Sequence, residues 1–250
     1  MAIGDSSASG PGIGDEDPSS PECFRSERNY PALVAEELKD KTFTDVTCGS
    51  ATTESVRQGD ETANGAAIAP QVTALGSDTE LVTVSIGAND EGASGVLYTC
   101  LFSDGDDDRE CQDLVAKRTP TVFSKIRKNV VELLDEIQAE APDARVILVG
   151  YLHIVPRTGD CEDLRMSDAA RNAAQKWEAR TNVALKEAAE EAGTEFVDLR
   201  SVSRGHDACA GEARWVNGTE DVADDGAFLH PNAAGMAAVA AEVVKVLQKS

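Results

Sequence analysis

The chain of 250 residues carries 45 Asp and Glu against 23 Lys and Arg, a formal net charge of -22. That charge repels nucleic-acid phosphates and anionic membrane surfaces, and an aromatic content of 4% leaves few stacking platforms for single strands. With 41% hydrophobic residues the chain is long enough for one α/β domain over residues 1–250, and no apolar run approaches a membrane span.

"MAIGDSSASGPGIG" begins with a short strand that Gly4 ends. Ser6 is left just past the strand end, before a run too rich in Gly and Pro to continue any regular element. Ligands of parallel α/β sheets bind beyond the C-terminal strand ends, so Ser6 is either a turn residue or a nucleophile. "SSPECFRSERNYPALVAEELKD" reads as a loop and then a helix, with Leu33, Val34, Ala35 and Leu38 on one face. "TFTDVTC" alternates and reads as a strand ending at Cys48, followed by the turn Gly49-Ser50. "ELVTVSIGAND" is nearly continuous in its apolar residues up to Gly87, as a central strand covered on both faces would be.

"SDGDDDREC" reads as a solvated charged loop, and its spacing misses the EF-hand calcium pattern. "PTVFSKIRKNVVELLDEIQAEAPDA" is amphipathic, with a helix start predicted at Pro120 and an end before Pro142. "ARVILVGYL" is a buried strand ending near Tyr151. "SDAARNAAQKWEARTNVALKEAAEEAG" is a long helix closed by Gly193. "TEFVDL" is a short strand, and "HPNAAGMAAVAAEVVKVLQK" is a terminal helix entered through Pro231. Strands alternating with helices predict a parallel sheet with helices on both faces. Five strands with right-handed crossovers give a flavodoxin-like three-layer α/β/α sandwich.

Cys23, Cys48, Cys100, Cys111, Cys161 and Cys209 are even in number and widely spread, without a C-x-x-C pair. That disfavours a zinc ribbon and favours three disulfides in an oxidising compartment. Connectivity is open in principle; pairing of sequence neighbours, Cys23 with Cys48, Cys100 with Cys111 and Cys161 with Cys209, staples one loop region each. Met1 stands directly before the first strand with no basic and apolar leader. Secretion is expected from the cysteines, with Met1 the start of a trimmed chain, and the protein is expected to be a monomer.

Gly4-Asp5-Ser6, Gly49-Ser50 and Gly87-Ala88-Asn89-Asp90 all sit at strand ends, so a doubly wound sheet brings them to one crevice. A hydroxyl, approachable backbone N–H groups and a carboxamide suit acyl transfer, in which donors hold a developing oxyanion. A nucleophilic serine needs a base. His153 follows an apolar strand and reads as a rim or packing residue. His206, beside Cys209, reads as a local structural hydrogen bonder. His230, before the last helix, is the candidate base.

These residues carry a resemblance. "GDSSASG", "TCGSAT", "IGAND" and "FLHPNAAG" resemble, in order and spacing over essentially the whole chain, the blocks of the GDSL or SGNH hydrolase superfamily. The six cysteines and "GHDACAG" are similar to those of its secreted actinobacterial esterases and lipases, which carry three sequential disulfides. The resemblance implies the SGNH hydrolase fold and a serine esterase or lipase acting on a small-molecule or lipid ester, without metal or organic cofactor. Ser6 would be the nucleophile and, through its N–H, an oxyanion donor. Asn89 would add a side-chain N–H, and His230 would be the base. The small oxyanion residue commonly stands two positions after the cysteine, which places Ser50 there ahead of Gly49. The superfamily commonly has Asp three residues before the histidine, where this chain has Ala227. A Ser-His dyad oriented by the Ala227 backbone carbonyl is therefore expected, with Asp224 and Asp225 as nearby carboxylates.

Three other readings compete. "GPGIG" lacks the third glycine of a dinucleotide fingerprint and opens no helix. An α/β-hydrolase would need a G-x-S-x-G elbow, which is absent. A non-catalytic carbohydrate-binding or adhesion domain on the same fold would leave Ser6, Asn89 and His230 as turn residues.

Overall fold

Alternation along two adjacent strands sets the layers. The computed structural model describes residues 1–39, 42–62, 65–103, 108–159 and 161–249. In chain order the elements are β1 (Ala2–Gly4), α1 (Ser6–Ser9), α2 (Tyr30–Leu38), α3 (Thr53–Gln58), β2 (Asp60–Glu61), β3 (Ala67–Ile68) and β4 (Leu81–Ser85). Then come α4 (Ala93–Leu101), α5 (Arg109–Glu140), β5 (Arg145–Val149), α6 (Asp168–Ala192), β6 (Glu195–Val197), α7 (Leu199–Val202) and α8 (Ala233–Leu247).

β1, β4, β5 and β6 form a parallel sheet in that spatial order, with Ile3 beside Val84, Val82 beside Val146 and Leu148 beside Phe196. β2 and β3 form a separate antiparallel pair. Val82, Val84, Val146 and Leu148 pack with Val130, Leu133 and Leu134 of α5 and Leu185 of α6. Ile147 and Val149, out of phase by one residue, pack on the other face with Tyr30 and Val34 of α2 and Met236, Val239 and Val243 of α8. A strand's side chains alternate between faces, so β5 is apolar from Val146 to Val149 because both its faces are covered. The result is the three-layer α/β/α arrangement.

Among the described residues the sheet has four strands, one fewer than expected. Residues 42–48 run along the free edge of β1. Ala2 donates to the Thr44 carbonyl at 2.9 Å, and Val46 and Cys48 donate to the Ala2 and Gly4 carbonyls at 3.1 and 3.0 Å. The segment meets β1 in a single bridge, Ala2 with Asp45. β1 is only three residues long, and the Asp45 carboxylate accepts from both the N–H and the hydroxyl of Thr47 at 2.9 and 2.7 Å. That local side-chain turn competes with a regular ladder. The order edge segment, β1, β4, β5, β6 is still doubly wound.

The helix expected to start at Pro120 starts at Arg109, and Pro120 lies inside it. An interior proline removes a hydrogen bond and costs about 3 kcal/mol. Here the Cys100–Cys111 disulfide ties the first turn of α5 to α4, and Leu114 and Val115 pack on the core. Those anchors carry the helix through the proline. Ser167 caps α6 by accepting from the Ala170 N–H, and Gly193, at φ 68°, closes it. The charged stretch around 103–111 falls partly on 104–107, outside the described residues. All six cysteines are paired, Cys23 with Cys48, Cys100 with Cys111 and Cys161 with Cys209.

Candidate active site

The site is built on the end of β1. A Cβ on Gly4 would lie 2.7 Å from the Ser85 carbonyl oxygen and 2.9 Å from Ala8 Cβ, so only glycine fits there. The Gln71 carboxamide clamps the same residue, accepting from the Gly4 N–H at 2.8 Å and donating to its carbonyl at 3.0 Å. Asp5 then caps α1, its Oδ1 accepting from the Ser7 N–H at 2.9 Å. Ser6 is thereby the first residue of a helical turn, where backbone N–H groups have no helical acceptor.

Two further turns meet it. The Asp90 carboxylate accepts from the Thr53 N–H at 2.8 Å and the Thr53 hydroxyl at 2.6 Å. Asn89 Nδ2 donates to the Ala51 carbonyl at 3.0 Å. These bonds lock the turn after β4 to the turn after Cys48. Gly49 is unavailable as a donor, because its N–H is given to the Cys23 carbonyl at 2.9 Å. Among the described residues the N–H groups of Ser6 and Ser50 have no acceptor in the protein. Ser50 holds φ at 64° and Leu229 at 57°. Left-handed non-glycine residues are costly and gather at functional sites.

His230 completes the arrangement. Its Nε2 lies 2.8 Å from Ser6 Oγ, and its Nδ1 lies 2.7 Å from the Phe228 carbonyl oxygen. The orienting carbonyl is therefore that of Phe228 and not that of Ala227. Left-handed Leu229 folds the chain so that the carbonyl two residues back faces the ring. The Ala227 carbonyl instead accepts from the His230 backbone N–H at 3.3 Å and from Asn217 Nδ2 at 3.5 Å. Asp225 Oδ1 accepts from the Ala233 N–H at 3.0 Å, and neither Asp224 nor Asp225 meets the ring of His230. Asp221 Oδ1 accepts from the Phe228 N–H at 2.8 Å and so steadies the carbonyl-bearing residue.

Electrostatics follow from burial. Burial lowers the His230 pKa from its ordinary value, against the Phe228 carbonyl and Asp221. That keeps the ring neutral and able to accept a proton. Asp5 is pushed up to about 7 by burial, opposed by hydrogen bonds from Tyr151 and Ser7. The Tyr151 hydroxyl donates to Asp5 Oδ2 at 2.5 Å and accepts from the Ala88 N–H at 3.0 Å. One side chain thus bridges the turns that carry Ser6 and Asn89. Beside Ser6 and His230 opens a pocket of about 80 Å³ with Leu97, Leu152, Ile154 and Trp177 on its walls.

The other histidines stand apart from Ser6. His206 stacks on Trp215, with centroids 3.8 Å apart, and its Nδ1 lies 2.6 Å from the Ala213 carbonyl oxygen. His153 Nδ1 lies 3.7 Å from Glu178 Oε2. Sequence reasoning missed Tyr151, Phe228 and Gln71. Tyr151 follows a buried strand and could have been flagged as a polar group at a strand end. Gln71 and the Phe228 carbonyl carry no such signal.

The GDSL-like lipase/acylhydrolase family model matches residues 2–238. Lipase 2 of Streptomyces coelicolor is 36% identical, over 99% of this chain and 85% of its own. The lipase of Streptomyces rimosus is 29% identical, over 94% and 81%. Among solved structures, phospholipase A1 from Streptomyces albidoflavus superposes with a TM-score of 0.84 at 28% identity, over 98% of this chain and 97% of that one. The extracellular lipase from Streptomyces rimosus does so with a TM-score of 0.83 at 28% identity, over the same shares.

Proposed function

The chain belongs to the GDSL-like lipase/acylhydrolase family and is a carboxylic ester hydrolase, and from that premise we propose that it works by acyl transfer through a Ser6–His230 dyad. The observation that carries this reading is the 2.8 Å contact between His230 Nε2 and Ser6 Oγ. His230 takes the Ser6 proton as Oγ attacks the ester carbonyl carbon. The N–H groups of Ser6 and Ser50 and the Asn89 carboxamide hold the oxyanion, a role that preorganised donors fill at little reorganisation cost. The imidazolium then gives its proton to the leaving alkoxide, releasing the alcohol and an acyl-Ser6 ester. Water, deprotonated by His230, attacks that ester; the bond from the acyl carbon to Oγ then breaks, the imidazolium returns its proton to Ser6 Oγ, and the carboxylic acid leaves. The Phe228 carbonyl fixes the tautomer with Nδ1 protonated throughout.

The small apolar pocket beside Ser6 supports short to medium acyl chains. Three disulfides and the extracellular Streptomyces rimosus relative support secretion. A chain-length series of p-nitrophenyl esters, run beside a phospholipid and acetyl-xylan, tests the substrate class. A kcat/KM maximum at short or medium acyl length is expected, and a maximum on long acyl chains or on acetyl-xylan would contradict the reading.

A further inference from the structure

Along α6, next to the catalytic pocket, lies a cleft of about 470 Å³. In a chain whose acids outnumber its bases about two to one, this cleft is lined by Arg157, Lys186, Arg200 and Arg204, with Asp198 the one carboxylate among its described residues. Arg157 and Arg204 are exposed, and neither has an ion-pair partner among the described residues. Lys186 has only a loose pairing with Glu190 at 3.8 Å. Arg200 Nη1 is buried without a hydrogen bond, 3.9 Å from Glu178 Oε2. Burial lowers the Arg200 pKa and the neighbouring Arg204 adds to the effect, against Glu178 and Asp198. Arg157 and Arg204, unpaired among the described residues, add their charge to Lys186 and Arg200, whose carboxylate partners stand 3.8 and 3.9 Å away, and a bound anion would offset this local excess of positive charge.

The walls add a second property. Val183, 53% exposed, and Phe196 supply apolar surface next to the cations. Such a surface suits a phosphate that carries an organic group. The long-range repulsion from a charge of -22 does not forbid an anion here, because salt screens charges beyond about 8 Å at physiological ionic strength. Asn182 lines both this cleft and the catalytic pocket, so the two openings share a wall.

We propose that the Arg157–Lys186–Arg200–Arg204 cleft binds a phosphate group. The phosphate is either free or part of an ester whose acyl end reaches Ser6. Only the second alternative rests on the hydrolase reading.

The test compares the wild type with the double variant Arg157→Gln/Arg204→Gln, both positions being exposed and away from the Ser6 site. Equilibrium dialysis with labelled inorganic phosphate at fixed ionic strength forms one arm. The other is kcat/KM on a short-chain phosphatidyl ester and on a neutral diacylglycerol with the same acyl chains. A loss of about ten-fold in phosphate binding alone is the result for free phosphate. A loss of about ten-fold confined to the phosphatidyl ester is the result for a lipid headgroup. A variant matching the wild type in both arms, or one losing equally on both esters with unchanged dialysis, overturns the site. The dialysis arm needs no catalysis, so its failure is distinct from a failure of the hydrolase reading.

Discussion

The carbonyl oxygen of Phe228 lies 2.7 Å from Nδ1 of His230, where a serine-hydrolase triad would place a carboxylate. A carbonyl fixes the tautomer and accepts the proton's hydrogen bond without a full charge. Asp224→Asn and Asp225→Asn should each keep most of the wild-type kcat, whereas His230→Ala should lose at least roughly 10³-fold. Asp221→Ala should fall between them, because it frees the Phe228 N–H, and Asp221→Asn should restore much of the loss. Steady-state kinetics on one chromogenic ester checks all four. A loss of several orders of magnitude in Asp224→Asn or Asp225→Asn would make that residue a third catalytic member.

The pH dependence follows from two opposite shifts. His230 is lowered below its ordinary 6.5 by burial, so its neutral, proton-accepting form persists to lower pH. The acid limb of kcat/KM should therefore fall below 6.5. Asp5 is raised from 3.8 to about 7, so the folded state holds a proton that the unfolded chain releases. Its stabilising contribution is complete below about 3.8 and is lost as pH rises through about 7. Urea unfolding on both sides of that window should show a smaller loss of stability with rising pH in Asp5→Asn than in the wild type. Equal slopes in the two proteins would contradict the shift.

Tyr151→Phe removes the hydroxyl that joins Asp5 Oδ2 to the Ala88 N–H. The buried Asp5 carboxyl and the half-buried Ala88 N–H then lose a partner, at a cost of about 1–3 kcal/mol. The Ser6 and Asn89 turns lose their common brace, so kcat should drop roughly ten- to hundred-fold with little change in KM. Denaturant melts and initial rates separate the two effects. A variant changed mainly in KM would make Tyr151 a substrate contact instead.

How much of this was readable in advance depends on what each residue needs. The positions of Ser6, Asn89 and His230 were legible because each sits on a turn at a strand or helix boundary, and Gly, Asp, Asn and Pro mark such turns locally. The sheet's centre was legible from the nearly continuous apolar stretches of β4 and β5. Residues 42–48 were misread because alternation says nothing about the length of the neighbour, and β1 offers only three residues. Pro120 was misread as a helix start because the forces that override it, the Cys100–Cys111 link and core packing, are tertiary. The Phe228 carbonyl was invisible because it depends on one left-handed backbone angle at Leu229, which no residue type there announces. Tyr151 meets Asp5 across 146 positions of sequence, a separation that local patterns do not reach.

The oxyanion donors can be tested by side chain and by backbone. Asn89→Ala should lower kcat about 10²–10³-fold, the usual cost of one donor, with an added contribution from losing the tether to the Ala51 carbonyl. Ser50→Gly keeps the backbone N–H and accepts the φ of 64° without strain, so its kcat should stay close to the wild type. A large loss in Ser50→Gly would show that the hydroxyl, not the N–H, does the work at that position.

In the proposed mechanism Ser6, activated by His230, becomes covalently acylated. Intact-mass and peptide mapping after fluorophosphonate treatment measures this directly. One adduct, on Ser6, is expected in the wild type, with sharply slower labelling in His230→Ala and no labelling or esterase turnover in a folded Ser6→Ala variant. An adduct on another residue, or near wild-type turnover in Ser6→Ala, would contradict it.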